Sequence, residues 1–197
     1  MYVPEFFRNR DRSALLSLAA THPFATVITC KDQHPTVSHL PLLVDVERNR
    51  LRGHLARENP QCEHLAAGAA ALAIFHGPHG YVSPSVYEEQ PSVPTWNYVV
   101  VHARGGSQLV DDADLRKILD DTVARFDHTG WRLEGGDEFL RTRLVAIAGF
   151  EIAIEQLEGK WKVSQNRSSA DQARVASWLA NGDDQSRALA ALMRDSG

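Results

Sequence analysis

Strand-like runs dominate the first half of this chain, and the helices set among them never fall into a regular βαβ alternation. That order excludes a doubly wound parallel sheet and points to antiparallel pairing. FATVITCK (Phe24–Lys31) is rich in β-branched residues, and Asp32, Gln33 and His34 ahead of Pro35 make a turn. TVSHLPLLVDV at 36–46 follows, with Pro41 asking for an edge position or a bulge. A polar turn at 47–50 leads into LRGHLA at 51–56, so two consecutive hairpins are expected. The continuous apolar run AALAIFHG at 70–77 predicts a buried strand, followed by a long Pro/Ser/Tyr loop. TWNYVVVHARG at 95–105 resumes β structure with SQLV as a short partner, and GFEIAIEQLEGKWKV at 149–163 predicts a hairpin turning at Glu158-Gly159.

Helices are expected at 11–20, where Asp11 can cap, and from Asn59 and Pro60 to a stop at Gly68. Leu115, Ile118, Leu119 and Val123 have helical spacing within 111–126, and 137–145 is expected to be helical too. The tail from Ser169 holds two helices broken at Asn181-Gly182. The expected fold is α+β, mainly antiparallel: a small barrel of about six to seven strands with peripheral helices. Residues 1–168 form the barrel domain, and residues 169–197 its helical tail.

With 21 basic and 25 acidic side chains the formal charge is −4. That is not the overall basic field of a non-specific nucleic-acid binder. Cys30 and Cys62 form no CxxC pair and have no metal-ligand spacing, so free thiols are expected. The opening MYVPEFFRNRDR has charges where a signal peptide needs an apolar core, and the longest apolar run, 65–75, is too short for a membrane span. A soluble, cytoplasmic protein is expected.

Several motifs are excluded by their context. Residues 135–139 spell GGDEF, the signature string of diguanylate cyclases, but no acidic metal segment precedes it and a helix-forming run follows. Its simplest reading is a glycine loop with Asp137 capping a helix. His76 and His79 form an HxxH pair interrupted by Gly77-Pro78, so no metal site is expected. GxSxG, P-loop and GxGxxG strings are absent.

Three polar and aromatic patches remain. GHLARENPQ at 53–61 runs from a strand into a helix start, placing Arg57 and Asn59 beside helix-terminal N–H groups in a manner suited to a phosphate. HGPHGYVSPSVY with VPTWNYVVVH brings Trp96, Asn97 and Tyr98, ring faces with an amide, which can cover a flat heteroaromatic ring. KWKVSQNR at 160–167 puts polar side chains after a strand.

Together with MYVPEFF and SHLPLL, the strings GHLARENPQ, GPHGYVSPSVY, VPTWNYVVVH and KVSQNR occur in an order that resembles the PaiB family of FMN-binding negative transcriptional regulators. The resemblance runs from Met1 to about Asp171. It implies a split barrel like that of pyridoxamine-phosphate oxidase, a homodimer, and FMN in the groove between subunits. By that likeness Thr36, Ser38 and His39 would line the flavin, and His54, Arg57, Asn59 and Gln61 would hold its phosphate and ribityl end. Trp96, Asn97 and Tyr98, or Lys162 and Gln165, would approach from the barrel wall or the partner subunit. The chain departs from the family pattern at Val86 and Cys62, where the resemblance leads one to expect tryptophan.

The implied function is that of an FMN-binding homodimeric repressor. The alternative is an FMN-dependent oxidoreductase or flavin reductase, for which His39, His79 and His102 are the acid–base candidates. A haem-handling protein on the same fold is a third reading. DNA contact has little independent support, since the tail balances Arg167, Arg174, Arg187 and Arg194 against Asp171, Asp183, Asp184 and Asp195.

Overall fold

The computed structural model describes residues 1–132 and 142–195. The GGDEF string and the cap expected at Asp137 lie outside the described residues. In chain order the elements are β1 (Arg8–Asn9), α1 (Arg12–Thr21), β2 (Phe24–Lys31), β3 (His34–Pro41), β4 (Leu43–Asp45), β5 (Arg50–Ala56), α2 (Gln61–Ala66), β6 (Ala70–Val82), β7 (Thr95–Leu109) and α3 (Asp112–Phe126). They continue with β8 (Ile147–Ala153), β9 (Gln156–Lys162), α4 (Ser169–Ala180) and α5 (Asp184–Asp195).

Nine strands among the described residues exceed the six or seven expected, for local reasons. The run 36–46 is divided at Leu42, whose N–H leaves the ladder for the carbonyl of Pro23 (2.9 Å) while its side chain is buried. The chain then starts β4 and pairs with β5. The β2–β3 hairpin turns through Asp32 and Gln33, both at positive φ (50° and 66°), as a two-residue turn with right-handed strand twist requires. β6 does not stop at Gly77 but runs through Pro78 to Val82, and β7 absorbs SQL into one continuous strand. No β8–β9 hairpin forms. The Ile154 N–H donates to Asn49 O (3.0 Å) and the Glu155 N–H to Arg104 O (2.9 Å), so the chain is turned away after β8. Glu158-Gly159 lies inside β9, which pairs with β1 and β7.

The described chain forms two compact units. The larger comprises Arg12–Phe75 and His102–Leu157. Its strand order is β3-β2-β6-β7-β8-β5-β4, and all the pairings of β2 through β5 are antiparallel. Alternation along β2 buries Ala25, Val27 and Thr29; Leu51, Phe75, Phe150 and Ile152 are inaccessible to solvent. Asp111 caps α3 by accepting the Asp114 N–H (2.9 Å), and the helix buries Leu115 and Ile118. The buried Arg52 of β5 meets Asp45 of β4 (3.3 Å) and Asp121 of α3 (2.9 Å). Burial alone would raise the Asp121 pKa, but the bonds from Arg52 and Lys117 outweigh it and hold the carboxyl below its ordinary value.

The smaller unit comprises Met1–Asp11, His76–Val101 and Glu158–Gly197. Here Arg8 and Asn9 of β1 pair with Lys160 and Gly159 of β9. Val175 and Leu179 of α4, and Leu189 and Ala190 of α5, are buried. Ser168 caps α4 through the Asp171 N–H, and Asp171 accepts the Glu88 N–H (2.9 Å). Cys30 is exposed and Cys62 buried, and both are free. Among the described residues no helix is long and apolar enough to cross a membrane.

Gly105 marks the tightest approach in the larger unit: a β-carbon there would sit 1.8 Å from the backbone oxygen of Ala153. At neighbouring Gly106 the nearest atom is the Glu155 side-chain oxygen at 3.6 Å, an ordinary contact. Gly105→Ala is therefore expected to destabilise the protein by about 3 kcal/mol, and Gly106→Ala by clearly less. Urea unfolding of the two variants checks the contrast, and equal losses would refute it.

Candidate functional site

Site residues expected from the sequence fall into both units. In the larger unit they gather around the junction of β5 and α2. Asn59 holds this junction with both ends of its amide: Oδ1 accepts the Gln61 N–H (2.9 Å), and Nδ2 donates to Ser38 Oγ on β3 (2.9 Å). Its carbonyl accepts the Cys62 N–H (2.8 Å), and the Pro60 carbonyl accepts the Glu63 N–H (3.2 Å). The first helical turn thus has its donors spent internally, which corrects the expectation that they are open to a phosphate. The helix is also only six residues long, so it presents little dipole.

Gln61 is fully buried. Its Nε2 lies within hydrogen-bond distance of Val27 O (3.2 Å), Thr29 Oγ1 (3.2 Å) and Thr36 O (3.1 Å). Thr29 Oγ1 in turn meets His64 Nδ1 at 2.8 Å, both residues being buried. This Thr29–Gln61–His64 network was not foreseen. The available signal was a polar residue, His64, three positions after Gln61 on the same side of α2. Cys62 is buried and brings its thiol to 3.9 Å from Ala56 O; burial pushes its pKa up, against the lowering influence of Arg57.

Arg57 differs from these neighbours. It is exposed, yet its Nε donates to Val145 O (2.9 Å) and its Nη2 to Ile147 O (2.8 Å). The fork is aimed by two backbone carbonyls, and Nη1 has no hydrogen bond among the described residues. Thr36 is half-buried and Ser38 buried on β3, whereas His39 is exposed with Nδ1 3.3 Å from Thr26 Oγ1. His54 on β5 is half-buried, and burial holds its pKa below the ordinary 6.5. A guanidinium with an unspent edge and nearby hydroxyls are donors of the kind that would suit a phosphorylated polyol, the phosphate–ribityl end of FMN, while the Asn59 and Gln61 amides are spent on the chain itself.

In the smaller unit Asn97 is buried and donates to Ser164 Oγ (2.9 Å), a residue held at φ 67°. Gln165 uses both amide ends locally, on Val163 N–H and Trp161 O. Lys162 donates to Thr95 Oγ1 and to Trp96 O (2.6 Å); burial, and then the charge of Lys160, hold its pKa below the usual lysine value. The half-buried Tyr98 ring lies 5.3 Å from the Lys160 ammonium, and Trp96 leaves its indole exposed. Val86, in a short 3-10 turn, is half-buried. Among the described residues no group of His, Cys, Asp and Glu could hold a metal ion.

Residues 1–156 match the family described as "Putative FMN-binding domain". The chain is 30% identical to the protease synthase and sporulation protein PAI 2 of Bacillus subtilis, over 99% of this chain and 97% of that protein. Two solved structures share the fold. The FAD and heme binding protein from Mycobacterium smegmatis superposes with a TM-score of 0.66 at 21% identity, covering 89% of this chain and 80% of the other. The flavocytochrome Anf3 from Azotobacter vinelandii gives 0.67 at 17% identity, covering 87% and 78%. The fold is the α+β split barrel, as expected.

Burial lowers the pKa of both His54 and His22. Below the ordinary value of 6.5 the unfolded chain takes up protons that the folded chain resists, so stability is full above that value and declines as pH falls through it. Urea midpoints recorded from about pH 8 to about pH 5 should fall, and His54→Gln should flatten the fall. A pH-independent midpoint would refute the assignment.

Proposed function

The chain belongs to the FMN-binding domain family and its cofactor is FMN; from that premise we propose that it works as a homodimeric, FMN-responsive negative regulator of transcription in which Arg57 holds the flavin phosphate. The observation that carries the site is the Arg57 fork, fixed on Val145 O and Ile147 O with Nη1 unspent. A guanidinium already aimed binds a dianion without first having to be ordered. Ser38 and Asn59, joined at 2.9 Å, with Thr36 and His54, would hold the ribityl end, and His39 is exposed on the same strand as Thr36 and Ser38. Gln61 acts from beneath by fixing β2, β3 and α2. In the smaller unit either Trp96, Asn97 and Tyr98, or Lys162 and Gln165, would approach the ring, from the barrel wall or from the partner subunit; Asn97, Lys162 and Gln165 are already engaged in bonds of their own.

The regulatory part of the reading draws on the Bacillus relative, whose name, protease synthase and sporulation protein PAI 2, links it to sporulation and gives no substrate. Direct DNA contact through the tail is disfavoured by its ion pairs: Arg174 meets Glu88 at 2.6 Å, and Arg187 pairs with Asp184. When bound, FMN supplies redox chemistry, and the chain's part is to bind and orient it. The oxidoreductase alternative has one observation in its favour, the exposed His39 imidazole on β3, placed where it can exchange protons with solvent.

Arg57→Ala should weaken FMN binding by about 1.5–3 kcal/mol, the range for a charged hydrogen bond, in a fluorescence titration of the purified protein. Unchanged affinity would remove Arg57 from the site. A mobility-shift assay on the protein's own promoter region, at several salt concentrations and with and without FMN, tests the regulator. A flavin-dependent shift supports it, whereas NAD(P)H turnover with no shift favours the oxidoreductase.

A further inference from the structure

The smaller unit contains a cleft of about 350 Å³ that the flavin reading does not use as a cavity. Its walls are the rings of Tyr81, Trp96 and Trp178, which are 43%, 53% and 46% exposed. Half-exposed aromatic side chains gathered on one concave patch are uncommon unless something binds there. These rings do not form one parallel stack. Tyr81 and Trp96 have centroids 6.2 Å apart at 64°, and His79 lies 6.0 Å from Trp96 at 36°. Tyr81 and Trp96 therefore meet edge to face, and with Trp178 they line the cleft as separate inclined rings, an arrangement that suits a rounded group better than a flat one.

The walls are held in place. Trp178 Nε1 donates to Tyr81 O (3.0 Å), fastening α4 to the end of β6. Below them Gly80 lets the helices close in: a β-carbon there would meet Leu179 Cδ2 at 2.6 Å and Ser186 Oγ at 2.9 Å. The carboxylate of Asp183 stands at the rim, and neither Lys nor Arg lines the cleft. Asp183 Oδ1 accepts the Ser186 N–H (2.8 Å), capping α5, and the bonds from Ser186 hold this carboxyl below its ordinary pKa. It forms no ion pair among the described residues, although His79 of the same cleft and Arg187, itself paired with Asp184, act on it electrostatically.

We propose that this cleft is a binding site for a small organic cation, a quaternary or alkylated ammonium, enclosed by Tyr81, Trp96 and Trp178 with Asp183 as its counter-charge. Such a cation gains from each ring face, and its alkyl groups remove half-exposed indole and phenol surface from water. The cleft shares Trp96 with the flavin reading and none of the residues assigned to the phosphate, so choline binding and FMN binding are measured separately.

Choline and its neutral isostere 3,3-dimethyl-1-butanol, titrated calorimetrically into the full chain, give the test. Choline should saturate, with the neutral alcohol about tenfold weaker or more. Trp96→Leu should abolish the choline signal. Asp183→Asn keeps a side chain that caps a helix equally well, and should weaken choline several-fold while leaving the melting temperature and the FMN affinity unchanged. Failure of choline to saturate, equal binding of the neutral isostere, or full choline affinity in both variants would overturn the proposal.

Discussion

The side-chain amide of Gln61 draws together oxygen atoms from both strands of the β2–β3 hairpin and from Thr29, at a point with no access to water. An unmade hydrogen bond in such a place costs about 1–3 kcal/mol, so the amide's partners have little freedom to separate. Because Gln61 opens α2, this fixes where the helix begins, and hence where Asn59 and Arg57 stand just before it. Asn59 then repeats the device nearer the surface by bonding Ser38. The larger unit thus carries a buried polar seam in which Thr29, Gln61 and His64 tie α2 to the β2–β3 hairpin.

Much of the architecture was legible because its causes are local. β-branched alternation in β2, the turn at Asp32–Gln33, the cap at Asp111, and the break at Asn181-Gly182 act within a few residues of themselves. What could not be read depends on distant partners. Glu158-Gly159 has the composition of a turn, yet β1 from the far end of the chain pairs there and keeps the segment extended. Gly77-Pro78 looks like the end of a strand, but β6 continues through both residues. Leu42 leaves the ladder because the Pro23 carbonyl lies within reach of its N–H.

The same distinction runs through the candidate residues. The sequence singled out side chains around the β5–α2 junction, but it could not reveal which of them would already be engaged. Gln61 uses its Nε2, and Gln165 both ends of its amide, on the chain itself, and the N–H groups of the first turn of α2 are consumed by Asn59 and Pro60. Arg57 keeps an edge unspent only because Val145 and Ile147, nearly ninety positions along the chain, supply two carbonyls to its other nitrogens. Tyr81, Trp178 and Asp183 are scattered in the sequence, and only the packing of α4 and α5 in the smaller unit collects them around one cleft.

The double clamp on Arg57 also ties recognition to folding. The guanidinium is positioned by the start of β8, so the order of that segment and the readiness of the charge form a single equilibrium. Any anion that engages the free edge selects conformers in which residues 145–147 are in place, and by linkage it suppresses their local opening as much as their opening weakens its own hold. Backbone amide exchange near the start of β8 would then report occupancy of a site whose charged side chain lies on a different strand's end. A lysine at position 57 would keep the charge and lose this coupling, because a flexible ammonium lacks the planar fork that lets one group face two carbonyls and an anion together.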